Sequence, residues 1–131
     1  MPSGVPDVLL VDDDPDIREM LAFTLAGHGL TTAQAADGAD GLRRLREGDA
    51  PACVVLDLMM PVTDGFELLA GRRAEGLAPG AKVLVLSCRG DEAALVRAWE
   101  LGADDYLVKP TDPDLLVARI KDLVGESVPA A

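Results

Sequence analysis

The stretch that decides the fold is CVVLDLMMP, residues 53–61. Four apolar residues run without alternation into Asp57. A short run that is apolar on both faces is typical of a parallel strand covered by helices. Asp57 therefore lies where a buried strand ends and a loop begins. An aspartate in this position is more often an ordinary turn residue. Whether Asp57 has a functional role therefore depends on which residues lie next to it in the fold.

A second apolar run, Val8–Val11, also leads directly into acids, namely Asp12, Asp13 and Asp14. If the two strands are neighbours, several carboxylates converge on one small volume. Close like charges do not all stay ionised without a partner. Oxygen-only ligands favour Mg²⁺, with Mn²⁺ as the alternative. A carboxylate beside such an ion is suited to accepting a phosphoryl group.

Strand-like and helix-like patterns alternate five times along the chain. The strand-like runs are Val8–Val11, Thr31–Ala35, Cys53–Leu56, Val83–Leu86 and Tyr106–Val108. This alternation predicts an α/β fold, a flavodoxin-like (βα)5 doubly wound parallel sheet with strand order 2-1-3-4-5. The order places strands one and three side by side, with their acids on the same rim.

Capping residues set the predicted helix boundaries. Asp14 caps the first helix, Pro15 occupies its first position, and Gly29 ends it in a left-handed conformation. Its predicted apolar face consists of Ile17, Met20, Leu21, Thr24, Leu25 and His28. The other helices are predicted over 38–47, after Asp64-Gly65 with a capping box to Glu67, from about 91 to 102, and from 113 to about 125.

The 131 residues are enough for one domain, predicted over 7–125 between an N-terminal tail, 1–6, and a C-terminal tail or linker, 126–131. The net charge of −11 argues against direct binding of nucleic acid by this chain. The two cysteines fit a reducing compartment. Neither a signal peptide nor an apolar run of membrane-spanning length is present, so a cytoplasmic protein without a membrane partner is predicted.

Ser87 and Lys109 end the fourth and fifth predicted strands, on the rim that carries Asp57. Phosphoryl transfer gathers negative charge on three oxygens, which a metal ion, an ammonium and a hydroxyl can share. Taken singly, each residue has an ordinary interpretation, a loop hydroxyl or a solvated lysine. Their joint occurrence at successive strand ends favours a phosphoryl site.

These segments together resemble the receiver domain of two-component response regulators, over nearly the whole chain. The matching segments are 8–15, 54–61 with Asp64-Gly65, 83–90 and 102–110. The stretch from Ser87 to Arg119 most resembles regulators that carry a winged-helix DNA-binding domain. The resemblance implies a signal-transducing phosphoprotein of a two-component system or phosphorelay that takes part in transcription regulation. It would catalyse only its own phosphorylation and dephosphorylation, with no external substrate.

The resemblance also implies residue roles. Asp57 is expected to accept the phosphoryl group from a phosphohistidine of a sensor histidine kinase. The expected metal ligands are Asp57, Asp13, which binds Mg²⁺ directly, Asp12, mainly through water, and Met59 through its backbone carbonyl. Ser87 is expected to be the switch hydroxyl and Tyr106 the switch aromatic. Lys109 is expected to form an ion pair with the phosphoryl group and to precede Pro110 through a cis bond. Met59 and Arg89 are expected to tune the dephosphorylation rate.

The implied output surface consists of helix four, strand five and helix five, which would control an output domain or a partner. Asp104, Asp105 and Arg119 fall where the winged-helix class forms salt bridges across a dimer made on phosphorylation. Leu95 and Leu115 replace an expected Arg and Glu, and Trp99 and Val117 fall on the class's apolar patch. Two hypotheses remain open: an apolar contact replaces the ion pair in the same homodimer, or these side chains pack within the monomer.

Three other interpretations compete. The chain can be a stand-alone shuttle regulator without a DNA-binding output. It can be an aspartate-nucleophile phosphatase of the haloacid-dehalogenase type, although that class wants an acid where Met59 stands. It can be a pseudo-receiver that only binds protein, although the implied site is complete. Cys88, beside Ser87, is expected to be a small packed side chain rather than a site of oxidation.

Overall fold

The structure is a computed structural model that describes residues 5–48, 50–60 and 62–125. Within these residues, strands and helices alternate. The strands are β1 (Val8–Val11), β2 (Thr32–Ala35), β3 (Cys53–Leu56), β4 (Lys82–Ser87) and β5 (Asp105–Val108). The helices are α1 (Pro15–Ala26), α2 (Gly38–Arg46), α3 (Gly65–Glu75), α4 (Glu92–Glu100) and α5 (Pro113–Val124). All strand pairs are parallel and their order is β2-β1-β3-β4-β5, which confirms the predicted fold.

Alternate side chains of the central strands pack on opposite faces of the sheet. In β1, Leu9 and Val11 join the layer that contains α2, α3 and α4, whereas Val8 and Leu10 join the layer with α1 and α5. Both faces of β1 and β3 are buried. This two-sided burial explains why their sequences show no polar alternation.

The predicted caps are present at the starts of the helices. The Asp14 side chain accepts from the Asp16 N–H, with Pro15 at the first helical position. Asp64 and Glu67 form the reciprocal capping box of α3. The capping residues therefore identified the helix starts correctly.

The end of α1 differs from the prediction. The helix stops at Ala26, and the left-handed residue, Gly29 with φ +80°, comes only after a tighter turn. Two hydrogen bonds between residues three positions apart close that turn. The His28 N–H donates to the Leu25 carbonyl, and the Gly29 N–H donates to the Ala26 carbonyl. His28 therefore lies outside the helix and is exposed rather than on its apolar face.

Two further predictions concern the tails and membrane-spanning segments. The predicted tails fall largely on 1–4 and 126–131, outside the described residues, so their boundaries stay a prediction. Across the described ranges, no helix is both long and apolar enough to cross a membrane.

Candidate functional site

The register of β1 and β3 brings the acids together. Val11, the last residue of β1, pairs with Leu56, the last residue of β3. Asp12 and Asp57 directly follow these two residues and therefore lie side by side. The Asp57 N–H donates to the Val11 carbonyl at 3.0 Å. Asp12, Asp57 and the exposed Asp13 each offer an oxygen, and these oxygens lie within 4.8 Å of one another. Three carboxylates from two strands thus share one edge of the sheet.

Among the described residues, Lys109 supplies the only ammonium or guanidinium that forms a salt bridge with these carboxylates. Its backbone N–H donates to the Ser87 carbonyl at 2.8 Å, and its bond to Pro110 is cis, as the resemblance implied. The Lys109 Nζ lies 2.8 Å from Asp12 Oδ2 and 3.5 Å from Asp57 Oδ2. One ammonium therefore faces two carboxylates that are 5% and 6% exposed.

Burial and charge together set the protonation behaviour of this group. Burial raises the pKa of Asp57, and the nearby charge of Asp12 raises it further, against the hydrogen bond from the Met59 N–H and the charge of Lys109. Burial disfavours the charged form of Lys109, but the hydrogen bond that it donates to Asp12 and the charges of Asp12 and Asp57 raise its pKa overall. The cluster thus has more negative than positive charge to accommodate.

The donor set fits a hard divalent cation. Oxygen ligands about 2.1 Å from a Mg²⁺ ion are separated by roughly 3–4 Å, so three oxygens within 4.8 Å need only a small closure. Both oxygens of Asp12 already have partners, since Oδ1 accepts from the Asp14 N–H at 2.9 Å and Oδ2 faces Lys109. Asp12 is therefore the least free of the three acids to give a direct ligand.

Arg18 is part of this site and was not found from the sequence. Its Nη1 donates to the Asp12 carbonyl at 2.6 Å and its Nε donates to Gln34 Oε1 at 3.0 Å. The guanidinium thereby fixes the backbone at the start of the acidic loop. A signal was available, because a basic residue in the first turn of α1 opposes the usual preference for acids there.

Gly65 lets the loop after β3 return tightly onto the site. Its N–H donates to the Leu58 carbonyl at 3.2 Å. A Cβ at this position would lie 2.5 Å from the Asp57 carbonyl oxygen, which is far too close. Only glycine fits this approach of α3 to the end of β3.

Ser87, Arg89 and Tyr106 form a hydrogen-bonded group next to the acids. Ser87 is fully buried, and its Oγ accepts from the Arg89 N–H at 3.2 Å. The Tyr106 hydroxyl donates to the Arg89 carbonyl at 2.5 Å. The Arg89 guanidinium pairs with Asp91 through two bonds of 2.9 and 2.8 Å. The structure therefore joins the end of β4 to β5 and to α4 through one residue.

Met59 and Cys88, which follow the ends of β3 and β4, are both exposed. The Met59 side chain is 53% exposed, and its backbone N–H, not its side chain, holds Asp57 at 3.1 Å. Cys88 is exposed, which corrects the expectation of a packed side chain. It lines a cavity of about 370 Å³ between α1 and α5, together with Lys109 and Leu116.

The predicted dimer residues divide into two groups. Arg119 pairs with Asp105 of the same chain at 2.8 Å, and Asp104 Oδ2 accepts from the Val83 N–H at 2.8 Å. Val117 is 4% exposed and belongs to the core, so it forms no part of an exposed patch. Leu95 is half-buried, whereas Trp99 and Leu115 are 47% and 42% exposed.

Comparison with known proteins decides the family. The model of the response regulator receiver domain matches residues 8–121. This chain belongs to the response regulator receiver domain family. Such receivers are signalling domains of two-component systems, phosphorylated by histidine kinases, and are not ordinary enzymes. The family predicted from the sequence is confirmed.

The curated relatives of this receiver are longer transcription regulators. It is 42% identical over 117 residues to the transcriptional regulatory protein AfsQ1 of Streptomyces coelicolor, covering 89% of this chain and 50% of that protein. It is 36% identical to the phosphate regulon transcriptional regulatory protein PhoB of Escherichia coli, covering 95% and 54%. The chain thus spans about half the length of the curated relatives it matches.

Solved receiver structures have the same fold. The receiver domain of the Francisella response regulator 1452 superposes with a TM-score of 0.84 at 31% identity, covering 94% of this chain and 99% of that one. The Thermotoga maritima OmpR/PhoB homologue DrrB gives 0.77 at 30% identity, covering 92% and 52%. The DrrB receiver domain activated with BeF3 gives 0.78 at 29% identity, covering 92% and 98%.

Proposed function

We propose that this receiver accepts a phosphoryl group on Asp57 from a phosphohistidine of a sensor histidine kinase. An Asp57 carboxylate oxygen forms a bond to phosphorus, the phosphorus–nitrogen bond breaks, and the imidazole nitrogen leaves with the electron pair. The product is an acyl phosphate at the end of β3. The observation that carries this proposal is the meeting of Asp12, Asp13 and Asp57 within 4.8 Å, next to Lys109.

A divalent cation, Mg²⁺ or Mn²⁺, would be held by Asp13 and Asp57, by Asp12 mainly through water, and by the Met59 carbonyl. When bound, it would neutralise phosphoryl oxygens as charge develops on them. The engaged oxygens of Asp12 support its water-mediated role. The exposed position of Asp13 supports direct ligation from the solvent side.

Lys109 and Ser87 would receive the other phosphoryl oxygens. The Lys109 Nζ is already 3.5 Å from Asp57 and needs only a small shift from Asp12 to reach a group attached there. Ser87 Oγ accepts from the Arg89 N–H, and a hydroxyl in this position would donate its proton to a phosphoryl oxygen. Ser87 and Tyr106 would form the switch, while Met59 and Arg89, at the exposed edge, would set access of the hydrolytic water.

The surface of α4, β5 and α5 would then pass the signal to an output domain or partner. The greater length of the transcriptional regulatory proteins AfsQ1 and PhoB supports an output domain outside residues 8–121, in a cytoplasmic regulator whose receiver binds no nucleic acid itself. A homodimer formed on phosphorylation would use the exposed Trp99 and Leu115, because the Asp105–Arg119 pair is already made within one chain.

Phosphorylation by a small donor tests the proposal directly. The chain is incubated with acetyl phosphate and Mg²⁺, and the gain of one phosphoryl group is followed by intact mass. We expect Asp57→Asn or removal of Mg²⁺ by a chelator to abolish the gain. Asp14→Asn is the matched control, since Asp14 lies in the same acidic run and its side chain only caps α1. A phosphoryl group retained by Asp57→Asn would refute the assignment.

A further inference from the structure

Arg89 occupies the junction between the proposed phosphorylation site and α4. Its N–H donates to Ser87 Oγ, its carbonyl accepts from the Tyr106 hydroxyl, and its guanidinium binds Asp91 in a bidentate pair. This one residue therefore contacts the buried hydroxyl and the phenol through its backbone, and Asp91 through its side chain.

Asp91 has two functions that share one oxygen. It is the N-cap of α4, and its Oδ2 accepts from the Ala94 N–H at 3.2 Å. The same Oδ2 accepts from Arg89 Nη2 at 2.8 Å. The orientation that caps the helix is thus also held by the arginine.

The Arg89–Asp91 pair is open to competition from other anions. The two side chains are 37% and 49% exposed, so the pair is bidentate but is not enclosed by the protein. An acyl phosphate at the rim would carry nearly two negative charges, and its oxygens match the fork of a guanidinium. Arginine would therefore favour the phosphoryl group over a single exposed carboxylate.

The Arg89 guanidinium also contacts α3. It lies 5.9 Å from the centre of the Phe66 ring, which is buried in the first turn of α3. Phe66 follows Gly65, whose backbone abuts the end of β3 at Asp57. The guanidinium thus contacts both the N-cap of α4 and the first turn of α3, the helix that follows the loop after the proposed phosphoacceptor.

We propose that the Arg89–Asp91 ion pair is a latch that holds α4 in one position until a phosphoryl group on Asp57 draws the arginine away. This inference rests on the proposed function. Release of Arg89 frees Asp91, loosens the first turn of α4, and moves the carbonyl that holds the Tyr106 hydroxyl. The second arginine on the Phe66 ring, Arg97 of α4 at 4.2 Å, keeps the helix attached further along.

Beryllofluoride, the activator of the solved DrrB receiver domain, provides the probe. Fluorine NMR measures occupancy of the site in the presence of Mg²⁺. Fluorescence of Trp99, the single tryptophan and a residue of α4, and hydrogen exchange of the Ala94 and Leu95 amides measure the response of the helix. Occupancy and response are thereby read separately on the whole chain.

Two variants separate the latch from the cap. Asp91→Asn keeps an N-cap but loses the ionic partner, so we expect the α4 response at a several-fold lower beryllofluoride concentration than in the unaltered chain. Arg89→Met removes the mobile charge, so we expect at least half of the Trp99 change to be lost at equal occupancy. Glu92→Gln removes a neighbouring charge of α4 and is expected to leave the concentration dependence unchanged.

The outcomes distinguish the two proposals. If the unaltered chain shows no bound fluorine signal, the proposed function fails and the latch fails with it. If the chain binds beryllofluoride and Arg89→Met gives the full α4 response at equal occupancy, the latch alone is refuted. An unshifted midpoint in Asp91→Asn would likewise refute it.

Discussion

The Lys109 ammonium is closer to Asp12, at 2.8 Å, than to Asp57, at 3.5 Å. The lysine therefore pairs first with an acid that holds the loop after β1. Asp57, the proposed phosphoacceptor, is farther from the lysine and is therefore stabilised less by its positive charge. Two buried carboxylates and one ammonium leave this rim net negative, which is the electrostatic condition that favours a bound cation.

Replacing Lys109 by Met should make the protein depend more strongly on Mg²⁺. The variant leaves Asp12 and Asp57 buried without their shared cation, and breaking a buried pair costs about 3 kcal/mol. We expect a loss of about that size in urea unfolding with a chelator present, and a larger recovery with excess Mg²⁺ than the unaltered chain shows.

Lys82→Met is the matched control for that measurement, because Lys82 is exposed at the start of β4. It should change the free energy of unfolding by less than about 0.5 kcal/mol. Equal losses in both variants would show that the charge of Lys109 does not stabilise the acid cluster.

Val62→Gly should stabilise the protein. Val62 has φ 65° and its side chain is 96% exposed, so a β-branched residue adopts a left-handed backbone without compensating contacts. Relief of this conformation is worth about 1–2 kcal/mol, less the roughly 0.5–1 kcal/mol that glycine adds to the entropy of the unfolded chain. We expect a net gain of about 0.5–1 kcal/mol in urea unfolding.

Val96→Gly provides the opposite case, since Val96 is also exposed but lies within α4. Glycine inside a helix should destabilise by several tenths of a kcal/mol. If both substitutions destabilise the protein, the backbone at Val62 is not strained.

The two cysteines should differ sharply in reactivity. Burial raises the pKa of the Cys53 thiol to about 12, with a contribution from the charge of Asp104, and this side chain is fully buried in β3. Cys88 is exposed. A chromogenic disulfide reagent should therefore react quickly with one thiol in the folded protein and with the second only after unfolding. Two rapid thiols, or one that survives Cys88→Ser, would contradict this assignment.

Asp91 should titrate at unusually low pH. Its hydrogen bonds to the Arg89 guanidinium hold the pKa of this carboxyl at about 2, against an ordinary value of 3.8. Because the pKa is depressed in the folded state, the stabilisation by this pair is present above the ordinary value and is lost as the pH falls through about 2. Carbon NMR of the side-chain carboxyl should show this midpoint, and Arg89→Met should return it towards 3.8. A midpoint that Arg89→Met leaves in place would exclude the ion pair as its cause.

Sequence patterns were sufficient for most of the fold because each signal is local. The uninterrupted apolar runs mark strands with two buried faces. Asp14 and Asp64 mark helix starts because they accept bonds from residues two or three positions later, and Pro15 does so through its fixed φ. The predicted end of α1 was wrong because either of two glycines, Gly27 and Gly29, can end a helix, and the local sequence does not show which of them does so.

The sequence by itself determined which chemical groups this receiver carries and, through strand order, which edge of the sheet they share. The tertiary structure decided how they pair: Lys109 with Asp12 across 97 residues, Arg119 with Asp105 inside one chain, and Arg89 with three partners at once. The reason is physical. Strand order fixes backbone positions to within a few ångströms. A change of less than about one ångström in the donor–acceptor distance forms or breaks a hydrogen bond, and that distance depends on rotamers that the surrounding packing selects.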